Sequence, residues 1–131
     1  MTRLHFHPIR GKGVDIIDAI LHTKEVESMD AGYDSIHLAV VELVSNIVDY
    51  AYPEGNDDYL DVELQRDEKH ITIRFIDGGV PFNPLEKDPP DISLPMAERK
   101  IGGLGIFLVI KNMESVTYEY TDGENILTIS L

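Results

Sequence analysis

Two pairs of alternating stretches most constrain what this chain can fold into. Residues 59–65 and 70–76 alternate apolar and polar side chains and are joined by the charged turn Arg66-Asp-Glu-Lys69. That is the pattern of a β-hairpin with one face toward a core. Residues 115–121 and 125–131 form a second pair around Asp122-Gly123, a dipeptide that tolerates the left-handed backbone of a tight two-residue turn. The rest reads as helix. Val14, Ile17, Ile20 and Leu21 recur at helical spacing over residues 14–29. A second helix, capped at Asp34 or Ser35, runs to about Tyr50 and stops before Pro53. A third runs from about Gly103 to Met113, and residues 3–9 read as a short edge strand ending at Pro8. Helices gathered against a mostly antiparallel sheet make an α+β two-layer sandwich.

Composition narrows the class. A chain of 131 residues reads as one domain, residues 1–131, large enough to bury a core without staples. No apolar run approaches a membrane span, and Arg3, His5, His7 and Arg10 interrupt the only candidate signal segment. The absence of cysteine excludes disulfides and thiolate metal sites and fits a reducing cytoplasm. A formal charge of −13 disfavours direct nucleic-acid binding, which relies on lysine and arginine. It suits either a partner with a basic face or simple solubility. The five histidines show no metal-ligand spacing and read as strand or surface residues.

The second helix carries a polar stripe. At helical pitch Ser45, Asn46 and Asp49 fall within about 60° of Glu42, whereas Val40, Leu43, Val44 and Ile47 occupy the opposite side. Such a stripe is either a solvated face or a site. A solvated face usually carries lysines, and this one has none. Glu42 as a general base and Asn46 as an oxygen ligand to Mg²⁺ would give each residue a role. Gly102, Gly103 and Gly105 lie where the third helix begins, so free backbone N–H groups there can meet phosphate. The cluster has neither the Gly-x-x-x-x-Gly-Lys pattern nor a strand–turn–helix setting.

Glu42-x-x-x-Asn46, Asp77-x-Gly79-x-Pro-Phe82 and Gly102-Gly-Leu-Gly105-x-x-Leu108, in this order, resemble the boxes of the GHKL ATPases. More narrowly they resemble the small anti-sigma-factor serine kinases of bacterial partner-switching systems. The resemblance implies a Bergerat fold, with helices over a mixed, mostly antiparallel sheet, that binds ATP with Mg²⁺ under a lid. It implies Glu42 as the catalytic base, Asn46 as the Mg²⁺ ligand and Asp77 as acceptor of the adenine amino group. Gly79 would let the backbone approach adenine beside Phe82. Gly102, Gly103, Leu104 and Gly105 would contact the phosphates, with Asp49 near the bound nucleotide. Gly123-Glu-Asn125 stands where a Gly-Gly-Thr commonly supplies a hydroxyl near adenine, so Asn125 or Thr128 would substitute, and Thr128 is the expected choice.

Residues 77–101 hold five prolines and little periodicity, a long loop whose later part, from about residue 85, would be the lid. Arg99, beside the glycine cluster, is either the cation that grips the terminal phosphate or half of a solvated basic pair with Lys100. The function implied is an ATP-dependent protein-serine kinase that phosphorylates a small antagonist protein. A sigma factor would be the second partner, and the chain would form a homodimer through residues 3–21. The alternative is a switch or scaffold that binds ATP and a partner without phosphoryl transfer.

Overall fold

The protein is described by a computed structural model covering residues 1–52, 58–86 and 103–131, without the side chains of Gly103 and Leu104. Five strands, β1 (Thr2–Phe6), β2 (Leu60–Arg66), β3 (Ile71–Asp77), β4 (Ser115–Thr121) and β5 (Glu124–Ser130), form one sheet. Its order is β1-β2-β3-β5-β4, and all four pairings are antiparallel. Among the described residues four α-helices accompany it: α1 (Gly13–Leu21), α2 (Lys24–Glu27), α3 (Tyr33–Asn46) and α4 (Gly103–Asn112). The α+β sandwich expected from the alternation is therefore present.

Both hairpins form for the reasons the residues suggest. Asp67 closes the first turn by accepting the backbone N–H groups of Lys69 and His70 at 2.8 Å, an Asx turn. Asp122 and Gly123 both take positive φ, 53° and 78°, as a type I′ turn requires. On β2 and β3, Leu60, Val62, Leu64, Ile71, Ile73 and Phe75 point inward and are buried. They meet Ile16 and Ile20 of α1, Ile36, Val40 and Val44 of α3, and Ile106 and Val109 of α4 in one core. On the opposite face Arg3 bridges Asp61 and Glu63 at 3.0 and 2.9 Å, and Arg74 reaches Glu63 at 2.8 Å.

Three helix expectations need correction. The stretch 14–29 is two helices, because Thr23 turns extended (φ −70°, ψ 151°) and its hydroxyl donates to the Ile20 carbonyl at 2.8 Å. A side-chain bond to the backbone thus competes with helix continuation. The residue before α3 is Gly32, not Asp34 or Ser35. Its φ of 85° and a would-be Cβ 2.7 Å from Leu131 Cδ2 exclude a side chain there. Finally, α3 proper stops at Asn46, and Ile47–Ala51 continue as a π-helical turn. Of the apolar residues expected at a dimer interface, Ile16 and Ile20 lie in the chain's own core, whereas Ile9 is exposed. No helix among the described residues is long and apolar enough to cross a membrane.

Candidate functional site

The end of α3 and the ends of β3 and β5 enclose a pocket lined by Leu43, Asn46, Ala51, Phe75, Asp77, Val80, Phe82, Tyr118, Asn125 and Leu127, among others. The cavity measures about 40 Å³, room for a few waters. Its walls are apolar and its floor is polar. Asp77, the last residue of β3, is 5% exposed. Its Oδ1 accepts the Gly79 N–H and the Asn125 Nδ2, each at 2.9 Å. Burial pushes the Asp77 carboxyl above the usual range, against the opposing effect of those two bonds. Oδ2 carries no bond to a described residue.

The loop after Asp77 runs tight against the π-turn. A Cβ on Gly79 would stand 2.2 Å from the Ala51 carbonyl oxygen, so only glycine fits, and the next N–H, of Val80, donates to that oxygen at 2.9 Å. The Tyr52 hydroxyl accepts the Gly78 N–H at 2.7 Å and donates to the Tyr59 carbonyl at 2.6 Å. Burial pushes that hydroxyl up to about 12.

On α3, Asn46 lines the pocket, and its Nδ2 is buried with no hydrogen-bond partner, alone in that respect among the buried side-chain atoms of the described residues. A buried amide without a partner is costly unless a ligand supplies one. Turned over, the amide presents an oxygen, which suits a hard cation such as Mg²⁺. One turn earlier, Glu42 lies against the start of α4: a Cβ on Gly105 would fall 2.1 Å from its Oε2. Gly105 is therefore the space that lets the carboxylate reach the glycine segment. Gly103 and Leu104 form the first turn of α4. Arg99, Lys100 and Gly102, with the lid beyond Glu86, lie outside the described residues.

Two expected site residues are placed elsewhere. Asp49 falls in the π-turn, which breaks the even helical step from Asn46, and it is exposed and outside the pocket lining. Thr128 lies on the other face of β5 from Asn125 and Leu127, because side chains alternate along a strand. Asn125 directly opposes Asp77 in the β3–β5 pairing, and it is the residue whose side chain reaches the Asp77 carboxylate. Its parity with the apolar Leu127 and Ile129 is the signal that separates it from Thr128. Tyr118 and Tyr52 carry no sequence signal of a role, since a tyrosine in a strand or after a helix is ordinary, and only the partners of their hydroxyls tie them to the site.

The sequence matches the histidine kinase-like ATPase domain family over residues 12–131. Serine/threonine-protein kinase BtrW of Bordetella bronchiseptica is 24% identical over 96 residues, which cover 73% of this chain and 68% of that protein. Serine-protein kinase RsbW of Listeria monocytogenes is 29% identical, over 72% of this chain and 62% of the relative. RsbW of Halalkalibacterium halodurans is 34% identical, over 69% and 57%. The matches thus cover 68%, 62% and 57% of these relatives' own lengths. The histidine kinase AdeS of Acinetobacter baumannii superposes with a TM-score of 0.53 at 12% identity, over all of this chain and 67% of that one, which is a likeness of fold. With the pocket carboxylate, its glycine loop and the Glu42–Gly105 contact in place, the chain belongs to the histidine kinase-like ATPase family.

Proposed function

We propose that this protein is an ATP-dependent protein-serine kinase that transfers the γ-phosphate to a serine of a small antagonist protein in a partner-switching pathway. The observation that carries this is the seating of the Glu42 carboxylate on Gly105 while Asn46, one turn on, faces the nucleotide pocket. A base and a pocket on one helix support a reading in which an incoming hydroxyl meets the terminal phosphate beside Glu42. The relatives named serine-protein kinases support the same reaction.

In this reading Asp77 accepts the adenine amine, and the N-terminal turn of α4 faces the phosphates with its free N–H groups. Asn46 would hold Mg²⁺ through its amide oxygen, and the ion would supply charge neutralisation on the phosphates. Glu42 takes the proton of the serine hydroxyl as the serine oxygen bonds to the γ-phosphorus. The bond from that phosphorus to the β-phosphate bridging oxygen breaks, and ADP leaves with the electron pair. Positioning and charge do the rest. The antagonist is one partner and a sigma factor the other, with the chain dimeric in the cytoplasm. In a dimer the exposed Ile9 and the outer edge of β1, which among the described residues pairs only with β2, are the surfaces offered to a second copy.

Glu42→Gln tests the reading. ATP affinity should stay within a few-fold of wild type while transfer to the antagonist falls by about 10²–10⁴. Wild-type transfer rates in the variant would remove Glu42 as base. A wild-type chain that binds ATP and the antagonist but moves no phosphate would leave the switch without chemistry.

A further inference from the structure

Asn125 is fully committed. Its Nδ2 donates to Asp77 Oδ1 and to the Val80 carbonyl, each at 2.9 Å. Its Oδ1 accepts the Phe82 N–H at 3.1 Å and the Tyr118 hydroxyl. A carboxamide has two donors and two acceptor sites, so this one has nothing left to offer a ligand. Strands β3, β4 and β5 and the loop after β3 are tied together at this one buried side chain.

The backbone around it is equally spent. The Gly78 N–H goes to Tyr52, Gly79 to Asp77, Val80 to Ala51 and Phe82 to Asn125, and Pro81 has none. The loop therefore presents no free donor to the pocket. With Oδ1 of Asp77 pinned from two sides, the carboxylate is fixed in one orientation and Oδ2 is the oxygen left over.

We propose that Asn125, held in turn by Tyr118, is the positioning residue that sets which purine the pocket accepts. It orients Asp77 as a pure acceptor for an exocyclic amine, and by consuming the Phe82 N–H it withholds a donor from an exocyclic oxygen. The ligand class is a 6-aminopurine nucleotide, and 6-oxopurine nucleotides are excluded because acceptor would face acceptor. This rests on the nucleotide pocket of the kinase reading and adds to it a residue outside the Glu42, Asp77 and glycine segments.

The test is the ratio of affinities for ATP and inosine triphosphate, which differ at the 6-position, measured by calorimetry on the full chain. A merely structural residue would weaken both nucleotides alike and leave the ratio unchanged. Wild type should favour ATP at least tenfold. Asn125→Asp sets a second carboxylate beside Asp77, and the pair then retains a proton that can donate to the 6-oxo group. The ratio should fall at least fivefold. Tyr118→Phe, a milder change that keeps three of the amide's bonds, should lower it two- to fivefold. An unchanged ratio in Tyr118→Phe and in any Asn125→Asp protein that still melts cooperatively overturns the proposal. A wild-type chain that binds neither nucleotide overturns the kinase reading with it, whereas ATP preference kept in both variants overturns this inference alone.

Discussion

Asp77 is a residue held at some cost to the free protein. Its carboxyl is raised by burial, so its folded-state value lies above the unfolded one. The sign follows: protonation favours the fold, and that contribution is lost as pH rises through the folded-state value. Asp77→Asn keeps an oxygen to accept from Asn125 and Gly79 but carries no charge. The free variant should melt higher than wild type at neutral pH, and the gap should close as the medium is acidified and the wild-type carboxyl takes its proton. ATP at a hundred times its Kd should stabilise wild type by about 2.7 kcal/mol, and the variant should lose most of that gain. Melting curves at several pH values, with and without ATP, read both effects. A variant less stable than wild type at neutral pH would mean that the Asp77 charge is compensated. Glu42, Asn46 and Asp77 stand out in the sequence because their spacing matches a recognisable set of boxes, and the fold brings Asn46 and Asp77 to one pocket with Glu42 against Gly105. Thr128 offers the hydroxyl that the resemblance implies, and only the register opposite Asp77 shows that the Asn125 side chain is the one that arrives.

At the scale of elements, two glycines that look alike in sequence serve different ends. The Cβ of Gly79→Ala would strike the Ala51 backbone at 2.2 Å, whereas that of Gly105→Ala would strike the end of the Glu42 side chain at 2.1 Å. Backbone cannot yield cheaply and a side chain can. Gly79→Ala should therefore lower the melting temperature by several degrees. Gly105→Ala lies in α4, where alanine is preferred over glycine by about 1 kcal/mol. It should leave stability equal or improved while phosphoryl transfer drops at least tenfold, because Glu42 is displaced. Paired melting and transfer assays would separate them, and a Gly105→Ala protein with full activity would show that Glu42 need not sit there. The elements themselves were legible from period and turn chemistry. Their breaks were not: α1 gives way where the Thr23 hydroxyl bonds back to Ile20, and α3 passes into a π-turn at Ile47–Ala51. Neither leaves a trace in apolar spacing.

The whole molecule is acidic, with a formal charge of −13. In the proposed reaction a phosphoserine adds about −2 to the antagonist, so phosphorylation should loosen the proposed complex by tenfold or more. Salt screens such repulsion over about 8–10 Å near physiological ionic strength. The loosening should therefore shrink several-fold between low and high salt in a binding titration with the phosphorylated antagonist. A salt-independent release would assign the switch to shape, not charge. The two hairpins and the short first strand were legible, but strand order was not, since β5 separates β3 from β4 only through pairings across distant sequence. That order has a consequence for the chain while it is being made. Asp77 and Asn125 are 48 residues apart, and translation at about 5–20 residues per second separates their synthesis by roughly 2–10 s. For that interval β3 leaves the ribosome with one edge bare and its carboxylate unclasped, so the nascent chain carries an adhesive strand that a chaperone, a neighbouring nascent copy or its own β5 must be first to cover.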